Sequence, residues 1–392
     1  MHWKTALTAA LMVSLVVTAG CTDSDSTKQP SKIKADPQVT EPTPNLEPVS
    51  APLSDYGKYV PLKKKTDQIS LGTHQTYNLS SFFTGQNVLI APDYLYQQSI
   101  YYTYVKQTSD TTSKSYIYRY SQGSNDNQVL HTVNRTIGMM TGVSHYLFWV
   151  ESNPTKSGQK WAIHSMDLKT GNINTLDQGI SRHDTAIPYL DTSSKRVSWM
   201  THEATPTRTK TILKSFDIGE DAIIIHQDYI LKEGKKRNGL YPFDFRRSDA
   251  GLIMHTSTFK NGHKTSTLET FDGTFKRRMN GLIDFEHNKK YVATGEEGSA
   301  IFMNKKAQKT GYRFKPSDNR LTVDAFRFLS ADRVIFRESI SKIWYADLAH
   351  GTVAPLTDMA DTTSKPIYVN GKLAYAVSDG AQIEFHVIDL KK

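Results

Sequence analysis

The chain has 392 residues, of which 38% are hydrophobic and 10% aromatic, and a formal net charge of +9. That is enough apolar material for a packed core, which excludes a wholly disordered chain, and the single cysteine excludes an internal disulfide framework. With 20 Tyr and 16 Phe the composition leans toward strands, and no long apolar segment of helical period follows the first 20 residues.

Residues 1–20 are a separate module. Lys4 supplies a positive charge, Ala6 to Val17 is an apolar run too short to span about 30 Å of hydrocarbon, and Thr18-Ala19-Gly20 are small residues before Cys21. This is the pattern of an export signal. It resembles the signal of bacterial lipoproteins, which implies a signal peptide removed before Cys21, acylation of that cysteine (diacylglycerol and palmitate) and a lipid anchor to the cell membrane or outer membrane. Thr22 rather than Asp follows Cys21, and by the same resemblance carries no signal for inner-membrane retention. Residues 21–55 hold six of the 15 prolines (Pro30, Pro37, Pro42, Pro44, Pro48, Pro52) among Ser, Thr and charged residues. Too little apolar surface is present there to offset chain entropy, so a disordered tether is expected, with a folded body over 56–392.

The body repeats one unit, clearest at His145 to Asp177. An alternating strand at Tyr146–Val150 leads through a Gly/Pro/Ser loop to a second at Trp161–Met166, an Asp167-Leu168-Lys169-Thr170-Gly171 turn, and a third strand closing near Leu176. Before it lie short strands at Asp67–Leu71 and Asn87–Ile90, then Ile100–Lys106, Ser115–Tyr120 and Gln128–Thr132. Later copies are Arg196–Thr201, Thr211–Phe216 and Ile223–Gln227; Leu252–Thr256 and Ser266–Phe271; a degenerate one at Lys290–Thr294 and Ala300–Asn304, without the Asp/Gly turn; Arg333–Arg337, Lys342–Ala346 and Val353–Leu356; and Lys372–Val377 with Ile383–Ile388. Copies about 40–55 residues apart match four-stranded propeller blades. Glycine supplies the positive φ of such turns and aspartate bonds back to the turn backbone. The last copy is one strand short, and Asp67–Leu71 is the expected donor of the missing strand, removing an open edge. The expectation is therefore an all-β fold, a seven-bladed β-propeller closed by an N-terminal strand. The Trp-x-x-x-x-x-Asp-Leu-x-Thr-Gly wording of Trp161 to Gly171 resembles the TolB-like and WD40-like propeller families of exported bacterial proteins, over about 67–392. The resemblance implies the fold; such folds host binding proteins and enzymes alike.

Motifs for chemistry are absent: no Gly-x-Ser-x-Gly elbow, phosphate loop, His-Glu-x-x-His, cysteine metal pattern or sialidase-type Asp box. No catalytic residue, metal site or cofactor is expected. His183-Asp184 and His202-Glu203 could approach an axial channel, but histidines without ligand spacing read as solvated loop or strand-end residues. The charge is more structured. Residues 230–320 hold 19 Lys and Arg against 10 Asp and Glu, a net +9 equal to that of the whole chain. The clusters are Lys235-Lys236-Arg237, Arg246-Arg247, Lys276-Arg277-Arg278, Lys289-Lys290 and Lys305-Lys306. A one-sided basic field would attract anionic lipids or envelope polymers, with Lys235, Lys236, Arg237, Lys276, Arg277, Arg278, Lys289 and Lys290 as candidate contacts. The same residues are equally compatible with an ordinary solvated surface. Nucleic acid is not an expected partner, since the chain is exported and shows no nucleic-acid motif. Two functions follow: a membrane-anchored, non-catalytic binding or assembly scaffold at the cell envelope, with an envelope protein or anionic polymer as partner, or a propeller hydrolase or lyase acting on an envelope or environmental polysaccharide.

Overall fold

A computed structural model describes residues 59–83, 90–107, 113–182, 186–279, 281–296, 298–307, 310–357, 362–379 and 382–390. The signal, Cys21, the tether, most of the expected strand at 87–90, and His183-Asp184 lie outside the described residues.

The described chain is all-β apart from one 3-10 turn at Ser80–Phe83. It opens with β1 (Tyr59–Pro61), β2 (Lys63–Lys64) and β3 (Gly72–Asn78). An antiparallel sheet follows from β4 (Pro92–Tyr96), β5 (Ser99–Gln107), β6 (Ser113–Ser121) and β7 (Asp126–Val133). The next has β8 (Thr136–Val143), β9 (Tyr146–Thr155), β10 (Gly158–Asp167) and β11 (Ile173–Ser181). An eight-stranded sheet comprises β12 (Leu190–Thr192), β13 (Arg196–Ala204), β14 (Arg208–Asp217), β15 (Ala222–Lys232), β16 (Asn238–Ser248), β17 (Gly251–Lys260), β18 (His263–Thr270) and β19 (Lys276–Arg278). Its halves are joined only where Leu231 and Lys232 meet Gly239 and Asn238, so it behaves as two four-stranded units. Two further sheets are β20 (Leu282–His287), β21 (Tyr291–Glu296), β22 (Ser299–Asn304), β23 (Gly311–Phe314), and β24 (Val323–Phe328), β25 (Arg333–Glu338), β26 (Lys342–Asp347), β27 (Thr352–Pro355). The last holds β28 (Thr362–Thr363), β29 (Ile367–Val369), β30 (Lys372–Ser378) and β31 (Ile383–Leu390), with β3 on its outer edge.

The first strands of successive units touch in turn: β4 to β8, β12, β16, β20, β24 and β29, and β29 returns to β4. This radial arrangement is that of a β-propeller. Each pair of neighbouring sheets encloses its own apolar layer, such as Phe302, Phe314, Phe326, Phe336 and Trp344 between the β20–β23 and β24–β27 sheets. Buried tryptophans hand their N–H to carboxylates: Trp149 to Glu151 at 3.0 Å, Trp199 to Asp177 at 2.7 Å and Trp344 to Glu338 at 2.7 Å. Burying each such ring stabilises the fold by roughly 2–3 kcal/mol, and the satisfied N–H removes the penalty that would offset it.

Turn chemistry follows the sequence. Asp167 Oδ1 accepts the Lys169 N–H at 2.8 Å, Asp217 that of Gly219 at 3.0 Å, and Asp347 that of Ala349 at 3.0 Å. In the copy lacking an Asp/Gly pair, Asn304 Oδ1 takes the same role toward Lys306 N–H at 2.9 Å, so the repeat keeps the mechanism though not the residue. The Gly/Pro/Ser stretch after Val150 is not a loop: β9 runs to Thr155 and turns only at Lys156-Ser157.

The donor of the missing strand differs from expectation. β3 pairs with β31 over Gly72–Asn78, whereas Asp67–Leu71 forms no strand. Ile69 and Leu71 pack instead into the apolar layer beside Ile335 and Leu373, and the alternation that suggested a strand is used for that contact. Upstream, β1 and β2 lie parallel along the outer edges of β23 and β27, so the segment straps two sheets before closing a third.

Candidate functional site

The strand lining the axis is the one sequence periodicity does not announce: in five of the seven units a bulge interrupts its alternation, and most of these strands carry Pro, Asp or Arg. The ladder skips one residue at Asp93, Gly138, Phe243 and Ile283, and two at Ala325-Phe326. Except at Gly138, an aspartate sits in or beside the bulge. Asp244, Asp284 and Asp324 recur at intervals of 40 residues, each followed by an aromatic one or two positions on.

These aspartates knit the axis. Asp284 Oδ1 accepts Arg246 Nη2–H at 2.6 Å and the Phe285 amide at 2.8 Å, while its Oδ2 accepts the Ala325 amide of the next inner strand at 2.6 Å. Asp191 Oδ2 accepts the amide of Arg247, again on the next inner strand, at 2.6 Å. Asp324 takes Arg337 through both oxygens at 3.0 and 2.9 Å, and Arg337 reaches on to the Thr363 carbonyl at 2.9 Å. Arg246 also binds Asp244 at 2.7 Å and lies over the rings of Tyr189 and Phe285 at 5.1 and 4.8 Å.

Burial works against ionising every acid here, and the neighbours decide the outcome. In Asp284 the charges of Arg246 and Arg327 outweigh burial and hold the carboxyl below its ordinary value. Asp191 is raised, mainly by burial, against the pull of Arg246 and Arg327. Glu286, 3.6 Å from Arg327 and accepting the His287 amide at 2.7 Å, is pushed up to about 8 by burial and then by Asp191. Asp93 rises to about 7 through burial, opposed by its bonds from the Thr103 amide and hydroxyl, both 2.9 Å. The network can therefore hold a proton near neutrality at Glu286, while Asp191 and Asp284 bond directly to the next sheet and Asp324 reaches it through Arg337. Among the described residues no group of three or more His, Cys, Asp or Glu is arranged to hold a metal ion.

In an antiparallel meander the turn from first to second strand and that from third to fourth lie at one end, the first-turn end. The turn from second to third strand and the connection to the next unit lie at the other, the second-turn end. This alternation divides the basic residues. Lys235, Lys236 and Arg237 occupy the connection from β15 to β16, at the second-turn end. Lys289 and Lys290 form the β20–β21 turn at the first-turn end, and Lys276 starts β19 at that same end. Several are engaged: Arg237 with Glu233 at 2.8 Å, Lys276 with Glu269 at 2.9 Å, Lys290 with Asp332, and Arg277 with the Tyr59 hydroxyl of the strap. Arg278 is exposed. Of the other clusters, Arg246 and Arg247 belong to the axial network, and Lys305 is buried with Nζ 3.0 Å from His287 Nδ1. The basic excess is thus distributed over two ends and an interior. His202 is not solvated: it is buried, with Nδ1 2.9 Å from the Thr211 hydroxyl, while Glu203 is exposed.

At the second-turn end the inner strands leave apolar side chains uncovered. Phe243, on the β16 bulge, is 38% exposed, Leu240 40%, and Ile283, on the β20 bulge, 42%. Phe243 stacks on Tyr241, with centroids 6.4 Å apart at 18°, and packs 4.2 Å from the ring of His255.

No family model and no curated protein matches the chain. Among solved structures it is similar to the β-propeller domain of the Trilobed protease from Pyrococcus furiosus, with 10% identity, TM-score 0.49, and coverage of 76% of this chain and 91% of that one. An oligogalacturonate lyase in complex with manganese matches at 11% identity, TM-score 0.47, covering 86% and 98%. YCF48 bound to D1 peptide matches at 9% identity, TM-score 0.47, covering 85% and 98%. At this level of identity and overlap the likenesses carry no information about activity.

Proposed function

We propose that the chain is an exported lipoprotein, anchored through Cys21 and held off the membrane by its tether, whose seven sheet units form a propeller closed by β3. It acts as a non-catalytic binding or assembly scaffold at the cell envelope. One observation carries the functional part: Asp191 and Asp284 are committed to bonds with the next sheet and Asp324 to Arg337, which reaches the next sheet, while Phe243, Ile283 and Leu240 stand exposed on the inner strands. Buried groups already bonded to amides and guanidinium make poor bases or nucleophiles, whereas uncovered apolar side chains on a rigid frame are what a partner can bury. The cyclic contact of the inner strands and the β3–β31 ladder support the seven-unit, closed reading.

The second reading, a polysaccharide hydrolase or lyase, draws on Glu286, a carboxyl carrying a proton near pH 7 beside Asp191. One experiment addresses both. Envelope fractions are tested for retention of the wild-type body, a Phe243→Ser/Ile283→Ser variant and Glu286→Gln, and anionic polysaccharides incubated with each are assayed for new chain ends. The scaffold reading expects retention lost in the serine variant, kept in Glu286→Gln, and no cleavage by any form. Cleavage by wild type that Glu286→Gln abolishes would replace it with the enzyme; retention unaffected by the serine substitutions would move the binding surface elsewhere.

A further inference from the structure

Resting on the reading of the chain as a binding protein, we infer that the second-turn end around β16 docks an acidic peptide segment carrying an apolar anchor. The surface has two parts, and local folding sets each. The first is the aromatic pair Tyr241 and Phe243, with Leu240 exposed on the opposite face of the same strand end. Tyr241 and Phe243 share one face of β16, being two residues apart, and the bulge at Phe243 turns that ring outward where a regular ladder would have paired it. Tyr241 is braced by His202, with centroids 5.1 Å apart, and Phe243 by His255. Both imidazoles are buried and already bonded, His202 to Thr211 and His255 Nε2 to Ser266 Oγ at 2.6 Å, so they act as walls. The strip is rigid before a partner arrives, which lowers the entropic cost of docking.

The second part is cationic. The β17–β18 turn and the β15–β16 connection meet at this end, where the Gly262 amide donates to the Arg237 carbonyl at 3.1 Å. They bring Lys235, Lys236, Lys260 and Lys264 to the end of the sheet at which β16 begins. All four are exposed and none forms an ion pair among the described residues. Lys264 reaches over the Phe243 ring at 5.9 Å, and its charge adds to burial in holding His255 down at about 4. Arg237 lies over Phe259 at 5.6 Å, and its charge is matched by Glu233. Glu203 is the exposed carboxylate on the adjoining end of β13. A cationic rim beside an uncovered aromatic strip complements a chain of negative charge with a side chain to bury. Phe243 presents an apolar ring to bury, and a peptide supplies a hydrophobic side chain for it where an acidic polysaccharide supplies hydroxylated sugar rings, which favours the peptide.

The test selects random twelve-residue peptides displayed on phage against the immobilised protein, then measures the enriched peptides in solution by anisotropy at two salt concentrations. Enriched sequences should be net negative with at least one aromatic or large aliphatic residue. Binding should weaken at least tenfold in Phe243→Ser, and similarly in Lys235→Glu/Lys236→Glu with a shallower salt dependence. It should stay unchanged in Lys289→Glu/Lys306→Glu at the opposite end. Matching urea midpoints establish that the variants are folded. Enrichment of neutral or basic peptides, no enrichment at all, insensitivity to Phe243→Ser, or displacement of the peptides by a short oligouronate at lower concentration would each overturn the inference. Envelope retention that persists in Phe243→Ser while peptide binding is lost would separate the two proposals, leaving a scaffold whose partner sits elsewhere.

Discussion

Replacing Asp284 with asparagine is the sharpest test of the idea that the axial acids hold the ring together. The carboxylate is buried and accepts three donors, Arg246 Nη2–H, the Phe285 amide and the Ala325 amide of the next sheet, at 2.6, 2.8 and 2.6 Å. The asparagine side chain keeps the shape and one acceptor oxygen but turns an NH2 group toward a donor. It also leaves Arg246 with only Asp244, whose side chain is 32% exposed, as its bonded acid. Breaking one side of a buried ion pair costs about 3–5 kcal/mol. Retention of Asp244 and the cation–π contacts places the expected loss near the lower limit, about 3 kcal/mol, or roughly a hundredfold in the unfolding constant. Equilibrium urea denaturation of the body measures it, and the comparison that isolates the pair is Arg246→Met/Asp284→Asn. Removing both charges should be less destabilising than removing the acid alone, because no uncompensated guanidinium remains. Since Arg246 and Arg327 hold the Asp284 carboxyl below its ordinary value, its contribution is complete above about pH 4 and fades as pH falls through the folded-state value. A loss under about 1 kcal/mol for Asp284→Asn, or a double variant no better than the single, would mean that the network contributes nothing to cohesion between the sheets.

Two other outcomes follow from the N-terminal segment and its seam. Deleting residues through Lys65 removes β1 and β2 but leaves the β3–β31 ladder, and should yield a folded monomer. Deleting through Asn78 removes the outer strand of the last sheet, and should give protease-sensitive or self-associating protein by gel filtration; equal behaviour of the two deletions would refute closure by β3. Across that seam His74 Nε2 lies 2.9 Å from His386 Nδ1, with Tyr375 stacked on His386, Thr76 alongside and Glu384 3.6 Å away. Burial, and then His74, push His386 down to about 4, so its stabilising share is full above pH 6.5 and is lost between about 6.5 and 4. His386→Phe should flatten the acid-side loss of stability by up to about 1.4 kcal/mol per pH unit, read from urea midpoints; an unchanged slope would refute it.

The strands legible in the sequence were those with regular alternation and a turn of known chemistry behind them. Trp161 to Met166 and Arg333 to Arg337 sit within strands because each buries one or both faces between sheets, so burial and periodicity agree. The closing strand escaped for the opposite reason. Gly72–Asn78 is an exposed edge with almost no apolar residues, and backbone pairing to β31 holds it, whereas Ile69 and Leu71 display an alternation that serves packing outside any ladder. Composition could not separate these two, since hydrogen bonding along an edge leaves no apolar signature.

The axial strands were hidden by the feature that gives them their role. A bulge breaks period-two patterning, and Pro92, Asp93, Pro242, Asp244 and Arg246 are residues a strand reading discards, yet the bulge turns Phe243 and Ile283 outward and seats an aspartate beside the next sheet. The 40-residue recurrence of Asp244, Asp284 and Asp324 was the available signal, readable only once an inner strand had been assumed. Charge misled in a complementary way. A linear count placed the whole excess between residues 230 and 320, but consecutive turns of a meander emerge at opposite ends, so basic clusters about ten to forty residues apart need not share a surface. The connection carrying Lys235 and Lys236 shares an end with the Lys260–Lys264 turn and with the exposed face of β16, whereas Lys289 and Lys290 do not. Topology therefore converts a diffuse basic window into one cationic rim beside one apolar strip, and that conjunction, rather than net charge, points to a partner.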